Sequence, residues 1–349
     1  MNGDMLAAVY HGPNDLRVER IPVPETGPGE ALLKVVSSSI CGTDLRILHG
    51  GHRKYPAGTV RVPGHEVVGD IAALGAGVSG LAVGQRVFIA PNMGCGHCRQ
   101  CISGSNNLCA NYDAFGITLN GSFAEYMRLP AATILQGNVM PLAPGVDPAA
   151  AALVEPLACV LRGQNAVSVG VGDVVVVVGA GPIGALHIML ARLRGASRVI
   201  ASEMVAERRA QALRFGADDA VTPDALADAV AAASGGAGAD VVIVAAPAHA
   251  AQEAAIALAA IGGRINFFGG LPKERPVVQL DSNAVHYKEL IVTGTTACNT
   301  ADCRQAAAIV NAGRLDLSAL VSARYPLAEA SAAFAAAEDR KSLKVVLEP

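Results

Sequence analysis

Five consecutive valines, Val174–Val178, lead directly into the glycine-rich turn Gly179-Ala180-Gly181-Pro182-Ile183-Gly184, and an apolar helical segment follows. A buried strand, a GxGxxG turn and a helix in this order are typical of a dinucleotide-binding unit. Gly179 permits the tight turn, Gly181 lets a pyrophosphate approach the backbone, and Gly184 allows the helix to pack closely on the strand. Pro182 suits the first helical position, at the helix end that favours phosphate. A glycine-rich turn alone often serves only the backbone, so the prediction depends on the strand and helix beside it.

An acidic residue follows at the spacing that this unit requires. Glu203 ends the next predicted strand, nineteen positions after Gly184, close to the ~20 of the dinucleotide fingerprint. Its carboxylate would accept hydrogen bonds from the ribose hydroxyls and repel a 2′-phosphate, so we expect NAD as the cofactor. Arg208 and Arg209 lie nearby and could be recruited by a phosphate, which leaves NADP as the alternative.

The spacing of apolar strands predicts the fold class. After Val174–Val178 come Arg198–Ser202 and residues 240–245 and 264–268, with alanine-rich helical segments between them. This alternation predicts an α/β fold with a doubly wound parallel sheet of the Rossmann kind. The first part, to about residue 150, has short β-rich segments between Gly and Pro clusters. These segments are residues 31–36, residues 67–74 and Arg86–Ile89, and after Glu289 come strands at 290–293 and 343–347 with a helix at 301–312.

Composition excludes several classes of function. A net charge of −3 gives no basic footprint for a nucleic acid or an anionic membrane. Residues 174–191 lack charged side chains, but their glycines and proline favour a buried strand and helix over a membrane span. Residues 1–13 contain no secretory signal pattern. We therefore expect a cytoplasmic protein with no membrane or nucleic-acid partner.

Four of the eight cysteines lie within one stretch, as Cys95-x2-Cys98-x2-Cys101-x7-Cys109. Four thiolates this close can surround one tetrahedral zinc with no open position, which predicts a structural zinc site. The alternatives are an iron–sulfur cluster or redox-active thiols. A ferredoxin run has three residues before its fourth cysteine and a proline after it, whereas this chain has seven and Ala110. His97 lies between the thiols and is expected to be a bystander.

A second set of ligand-type residues is dispersed along the chain. It comprises Cys41-Gly42-Thr43-Asp44, Gly64-His65-Glu66 and Val154-Glu155-Pro156. Three protein ligands of these types with a water make a catalytic zinc site that keeps an exchangeable position. Spacing alone does not distinguish this arrangement from a buried cysteine and a core histidine.

Taken in order, these motifs resemble the zinc-containing medium-chain dehydrogenases, and within them the polyol branch that includes sorbitol (iditol) dehydrogenases. Threonine and galactitol-phosphate dehydrogenases are similar neighbours. The resemblance rests on CGTD at 41–44, GHE at 64–66, the four-cysteine segment, EPL at 155–157 and the GAGPIG turn. It implies a GroES-like, β-rich catalytic domain of residues 1–153 and 290–349, with a Rossmann domain of residues 154–289 inserted between the two parts.

The resemblance also implies a site and a mechanism. Catalytic zinc would be held by Cys41, His65, Glu66 and Glu155, or by three of these with one of the two glutamates binding the zinc water instead. Asp44 would orient the ligand histidine, and Thr43 would pass on the substrate proton. The remaining cofactor contacts would come from Ile183 and Arg208 beside the adenosine and from Phe268, Gly269, Gly270, Gly294 and Thr295 near the nicotinamide. With two zinc ions per chain, one catalytic and one structural, the protein would move a hydride between a secondary alcohol and NAD.

Three departures bear on the substrate. Arg46 stands where many relatives have a histidine that continues the proton relay, and an arginine cannot shuttle protons in the ordinary way. Thr296-Ala297 replaces the Arg-Tyr pair of sorbitol dehydrogenases before Cys298-Asn299-Thr300. The stretch at 49–55 is polar and basic, which indicates either a solvated loop or recognition of an anionic or hydroxyl-rich substrate.

We expect a polyol, sugar alcohol or cyclitol as the substrate and a homotetramer or homodimer as the assembly. The alternatives are an amino-alcohol or sugar-phosphate dehydrogenase and a non-catalytic, crystallin-like NAD-binding protein. The last of these, and a zinc-free quinone reductase, are disfavoured because the ligand set is complete.

Overall fold

The computed structural model describes residues 3–339 and 341–349. Its strands are β1 (Asp4–Gly12), β2 (Asp15–Pro22), β3 (Ala31–Ser39), β4 (Glu66–Leu74), β5 (Arg86–Ile89), β6 (Asn92–Met93), β7 (Asp113–Ala114), β8 (Tyr126–Leu129), β9 (Val139–Pro141), β10 (Val174–Val178), β11 (Arg198–Ser202), β12 (Asp219–Val221), β13 (Ala239–Val244), β14 (Ala259–Phe267), β15 (Ile291–Gly294), β16 (Val321–Pro326) and β17 (Lys344–Glu348). Its α-helices are α1 (Gly42–Leu48), α2 (Arg99–Ile102), α3 (Ala131–Leu135), α4 (Pro148–Ala152), α5 (Val154–Ala166), α6 (Pro182–Leu193), α7 (Ala206–Arg214), α8 (Leu226–Ser234), α9 (His249–Leu258), α10 (Ser282–Tyr287), α11 (Thr300–Asn311) and α12 (Ala330–Glu338). Among these helices none combines the length and the hydropathy that crossing a lipid bilayer requires.

The chain forms two compact units. The catalytic-type unit consists of Met1–Ala158 and Cys298–Pro349, and the dinucleotide-type unit consists of Cys159–Ala297. The first boundary falls inside α5 and the second falls after β15. The resemblance implies an inserted segment of residues 154–289, which ends before β15. The structure pairs β15 in parallel with β14, from Arg264↔Ile291 to Phe267↔Gly294, because its apolar residues continue that sheet.

A six-stranded parallel sheet forms the centre of the dinucleotide-type unit, in the order β12-β11-β10-β13-β14-β15. β10 lies in the middle, and four of its five valines are buried because both faces of the sheet are covered. One face packs on a cluster that includes Val177 and Ile188, and the other on a cluster that includes Val176 and Ile256. The predicted doubly wound α/β fold is confirmed.

The catalytic-type unit is β-rich, as expected for a GroES-like domain. Its main sheet has the order β16-β17-β3-β4-β5-β9, and β8 also pairs with β3. The ends of three strands meet at one place, since Ser39 pairs with Glu66 of β4 and with Val346 of β17. This register brings the segment after β3, the start of β4 and the start of β17 together, although they are far apart in the sequence.

Candidate active site

Three side chains converge where these strands meet. The ligand atoms of Cys41, His65 and Glu66 all lie within 4.8 Å of one another. His65 and Glu66 are buried, and Cys41 is half-buried. The Oε1 atom of Glu66 has no hydrogen-bond partner among the described residues. A thiol, an imidazole and a carboxylate with an unsatisfied buried oxygen are a donor set that fits zinc.

Asp44 fixes two of these three residues. One carboxylate oxygen accepts the backbone N–H of Cys41 at 2.9 Å, and the other lies 3.4 Å from Nδ1 of His65 and 3.3 Å from the amide nitrogen of Gly64. Burial lowers the pKa of His65, but Asp44 and Cys41 outweigh burial and hold that pKa well above its usual value. Asp44 is itself fully buried. The carboxylate of Asp44 thus lies beside Nδ1 of His65, which is the position that a residue orienting the imidazole would need.

Gly64 is required by the turn that presents His65. It has a φ of +97°, and a Cβ atom there would lie 2.7 Å from Oγ of Ser122 and 2.8 Å from the ring of Phe123. Both the backbone conformation and the space exclude a side chain at this position. Thr43 lies on α1, directly after the segment that carries Cys41, and is half-buried.

Lys344, which the sequence motifs do not single out, also contacts this group. Its Nζ atom donates to Oε2 of Glu66 at 2.6 Å and to the carbonyl of Ile40 at 2.9 Å. Both charged side chains are almost inaccessible, at 6% and 1% exposure. Burial lowers the pKa of the Lys344 ammonium group, but Glu66 and Cys41 together raise this pKa by more than burial lowers it. The net pKa therefore lies above its usual value. The signal available in the sequence was a lysine at the start of an apolar strand.

Glu155 lies in the same unit but is not part of the group formed by Cys41, His65 and Glu66. Its carboxylate accepts from Sγ of Cys298 at 3.6 Å, and Sγ of Cys298 lies 3.5 Å from Sγ of Cys303. Glu155 is near enough to Lys344 to raise the pKa of that ammonium group. The structure thus brings three of the four expected ligands together and places the fourth nearby.

The four cysteines of the second expected site also converge. The Sγ atoms of Cys95, Cys98, Cys101 and Cys109 lie within 4.8 Å of one another. A Cβ at Gly94 would lie 2.4 Å from Sγ of Cys101, so only glycine leaves room for the thiols. Four free thiols in one group fit a closed zinc site.

His97 does not belong to this group. Its ring nitrogen contacts the carbonyl of Cys95 at 2.9 Å, and the side chain is exposed. The backbone N–H groups of His97 and Cys98 lower the pKa of Cys95 to about 6, which favours the thiolate that a metal requires.

The glycine-rich turn has the geometry expected of a pyrophosphate site. Gly179 has a φ of +94°, and a Cβ at Gly184 would lie 1.8 Å from the carbonyl oxygen of Gly179. Gly181 precedes α6 as its N-terminal cap residue, and Pro182 occupies the first turn. The amino end of α6 is therefore accessible for an anion.

Glu203 is held beside this turn. Its two carboxylate oxygens accept the backbone N–H groups of Ala180 and Val205, each at 3.0 Å. Arg209 donates to the carbonyls of Glu203 and Met204, so it is bound to backbone. Arg208 is half-buried and lies close to Gly181.

The remaining expected cofactor residues lie at or directly after the ends of β14 and β15. Phe268 packs edge-on against the ring of His187, with the ring centroids 4.8 Å apart. Burial, followed by the charge of Arg194, lowers the pKa of His187 to about 3, so this ring is neutral. A Cβ at Gly269 would lie 2.7 Å from the carbonyl of Ala245. The three others are exposed or half-buried, and they are Gly270, Gly294 and Thr295.

Two family models match separate parts of this chain. The model of the alcohol dehydrogenase GroES-like domain matches residues 27–141, and that of the zinc-binding dehydrogenases matches residues 182–312. A sorbitol dehydrogenase of Halalkalibacterium halodurans is 31% identical over 99% of this chain and 98% of its own. An L-galactonate-5-dehydrogenase of Escherichia coli is 32% identical over 93% and 92%.

A solved structure of a similar protein supports the same family. A zinc-binding dehydrogenase from Sinorhizobium meliloti, bound to NADP, superimposes with a TM-score of 0.91 at 34% identity and covers 99% of this chain and 100% of its own. Identity above 30% over nearly the whole chain, together with the convergent ligand groups, identifies the family. This chain belongs to the zinc-containing medium-chain dehydrogenases, the zinc-dependent enzymes that oxidise or reduce alcohols and carbonyls with NAD(P).

Proposed function

We propose that this protein oxidises a secondary alcohol of a polyol, sugar alcohol or cyclitol to the ketone, with NAD as the acceptor. The observation that carries the proposal is the convergence of Cys41, His65 and Glu66, with Glu155 nearby in the same unit. A site with one thiolate and two carboxylates within reach is the donor set that the resemblance attributes to polyol enzymes. The sorbitol dehydrogenase relative supports the same substrate class.

The residues of this chain would supply positioning and proton transfer. When bound, zinc polarises the substrate hydroxyl as a Lewis acid, and the nicotinamide accepts the hydrogen of the C–H bond with its electron pair. Cys41, His65 and Glu66, with or without Glu155, would hold the metal. Thr43 would accept the departing hydroxyl proton and pass it to solvent.

Asp44 and Lys344 would act on the ligands and not on the substrate. Asp44 keeps the imidazole of His65 in one orientation, and Lys344 holds one carboxylate oxygen of Glu66. The other carboxylate oxygen, Oε1, is left for the metal or for a metal-bound water. The structural metal on the four cysteines would stabilise its own segment and take no part in the reaction.

Glu203 supports NAD over NADP. Because Ala180 and Val205 hold its carboxylate beside the glycine-rich turn, a 2′-phosphate there would meet a negative charge. The Sinorhizobium meliloti neighbour was solved with NADP. The choice between the two cofactors therefore depends on this carboxylate and on Arg208, which lies close to the same turn.

A second candidate function is a sugar-phosphate or amino-alcohol dehydrogenase. The exposed guanidinium groups of Arg46 and Arg53 favour the first of these, and the L-galactonate-5-dehydrogenase relative acts on an acidic substrate. Arg46 in place of a relay histidine argues against threonine, since that histidine is expected in threonine dehydrogenases. A non-catalytic NAD-binding protein has no need for the arrangement of Asp44, His65 and Glu66.

We also propose a homo-oligomer, either a tetramer or a dimer. β15 lies at one edge of the parallel sheet, and Ile291 on this strand is 55% exposed. An exposed apolar edge strand is a pairing surface that proteins normally cover. Sedimentation equilibrium of the wild-type protein and of Ile291→Lys tests this, because only an oligomer that uses this edge would dissociate in the variant.

The test of the reaction is NADH formation with a panel of polyols, amino alcohols and sugar-alcohol phosphates, with and without a zinc chelator. We expect chelator-sensitive turnover of a vicinal diol or polyol. Thr43→Ala should lower kcat by about 10²–10⁴ if the hydroxyl transfers the proton, whereas Thr59→Ala, on the surface, should not. If protein shown to contain zinc and to bind NAD oxidises no member of the panel, the proposal is wrong.

A further inference from the structure

The stretch that follows the cysteine ligand carries positive charge that the protein does not neutralise. Arg46 lies on α1, five positions after Cys41, and Arg53 lies in the loop after that helix. Both side chains are exposed. Within residues 3–339 and 341–349, neither guanidinium has a hydrogen bond, an ion pair or a ring contact. Eleven other arginines of the described chain are in such contacts with carboxylates, carbonyls, amides or rings, so these two belong to the minority of described arginines whose charge is unpaired.

The neighbouring basic residues are occupied. His49 bonds to Asn14 at 2.8 Å and also to Glu338. The Nζ atom of Lys54 lies 5.3 Å from the centre of the Tyr112 ring. The positive charge available to a ligand is therefore that of Arg46 and Arg53.

The loop is fixed and is not merely solvated. Tyr55 is buried, and its hydroxyl donates to the carbonyl of Gly116 at 2.7 Å. Arg61 packs over the Tyr55 ring at 5.0 Å and donates to the carbonyl of Lys54. The amide of Gly51 bonds back to the carbonyl of Arg46, which ties the loop to α1. Both guanidinium groups thus project from a rigid support.

The same loop lies beside the ligand group. His52, one position before Arg53, is half-buried. Its pKa is lowered to about 4, first by burial and then by the charges of Arg46 and Arg53. The charges of His65 and Asp44 also act on His52. Its Nδ1 atom accepts the backbone N–H of Lys54 at 3.3 Å, so the neutral imidazole keeps its Nε2–H as one donor next to two cations.

We infer that Arg46 and Arg53 bind an anionic group of the alcohol substrate, a carboxylate or a phosphate carried on the same molecule as the secondary alcohol. Two unpaired guanidinium groups on a fixed loop, beside the residues that would hold the catalytic metal, are suited to an oxyanion because each presents a planar fork of donors. The inference rests on the proposed function for the reaction, and it specifies the substrate as an acidic polyol. His52 would contact the hydroxyl next to the anion.

The experiment compares three substrates of the same carbon chain, namely glucitol, gluconate and glucitol 6-phosphate. We expect kcat/KM for one acidic substrate to exceed that for glucitol by about tenfold or more, which corresponds to one good charge-assisted contact. The double variant Arg46→Gln/Arg53→Gln should reduce the ratio of kcat/KM for the acidic substrate over kcat/KM for glucitol by at least about tenfold. The ratio is used because any effect of Arg46 on cofactor binding cancels. Lys54→Gln is the matched control and should leave the ratio unchanged.

Binding provides a readout that is independent of turnover. Calorimetric titration of gluconate and of glucitol 6-phosphate into zinc-loaded protein with NADH should show affinity that falls with salt and is lost in the double variant. Binding of gluconate would identify the anionic group as a carboxylate, and binding of glucitol 6-phosphate would identify it as a phosphate. If glucitol is oxidised and neither acid is preferred or bound, the anion site is refuted and the proposed function stands. If an acid binds through the two arginines but no alcohol is oxidised, the anion site stands and the proposed function fails.

Discussion

Replacing Lys344 by methionine tests the central ion pair of the site. The change preserves most of the side-chain volume but leaves the Glu66 carboxylate buried without its counterion, and the carbonyl of Ile40 loses its donor. Removing one partner of a buried ion pair costs about 3–5 kcal/mol. At 6% and 1% exposure, solvent offers little compensation. We therefore expect Lys344→Met to lower the free energy of unfolding by about 3 kcal/mol, which corresponds to a fall of roughly 6–12 °C in Tm.

The assay is urea denaturation of the chelator-treated protein, followed by the same measurement with saturating zinc. Zinc would take over part of the ammonium group's role, so the loss should be smaller with metal. Glu66→Gln combined with Lys344→Met removes both charges and should cost much less than the sum of the two single variants. Lys341→Met is the control, because Lys341 is 88% exposed in its ion pair with Asp339.

The raised pKa of Lys344 also fixes the pH range of the effect. A group whose folded pKa is above its unfolded value of 10.5 contributes its full stability below pH 10.5 and loses it as the pH rises through the folded pKa. The difference between wild type and Lys344→Met should thus be constant from pH 7 to about pH 10. The reasoning is refuted if Lys344→Met lowers the free energy of unfolding by less than about 1 kcal/mol. It is also refuted if the change in the double variant equals the sum of the changes in the two single variants.

Three further predictions address other parts of the chain. Cys101→Ser should lower zinc content by one equivalent per chain in elemental analysis, and His97→Ala should not. Glu203→Ala should shift the ratio of kcat/KM for NAD over NADP towards NADP by about tenfold or more, and an unchanged ratio would remove Glu203 from cofactor selection. Arg128, by hydrogen bonding, holds the pKa of Glu30 below its usual 4.5. Glu30→Gln should therefore lower the free energy of unfolding by about 1 kcal/mol at pH 7. Denaturation curves should show this difference from wild type disappearing as the pH falls below 4.5.

Much of the fold is encoded in local patterns. The strands of the parallel sheet are continuous apolar runs, and the boundaries expected for Val174–Val178 and Arg198–Ser202 are those of β10 and β11. The hairpin of β1 and β2 was not foreseen, because its exposed strand alternates charged and apolar residues like a surface loop. The turn residue Asn14, with a φ of +59°, was the available signal.

The site was predictable only where ligands form a motif. The four cysteines lie within fifteen residues, and their convergence followed from spacing. The pair of Lys344 and Glu66 is separated by 278 positions, and the contact of Cys298 with Glu155 by 143. Such contacts depend on strand register and on the return of the chain, neither of which local sequence specifies. Composition also could not distinguish Arg53, which is unpaired, from Lys54, which is engaged by Tyr112.

The pairing of β17 with β3 has a consequence for synthesis on the ribosome. The segment Cys159–Ala297 emerges as one uninterrupted stretch and can complete its sheet before translation ends. The unit with the metal ligands cannot do so at that stage, because its strand β17 is made only after that segment and pairs back with β3. Until then the nascent chain exposes an open edge of β3 and a Glu66 without its lysine. We expect chaperones to engage ribosome-bound chains at this stage, and a stop codon placed just ahead of Lys344 to prevent the unit with the metal ligands from folding although the other unit is complete.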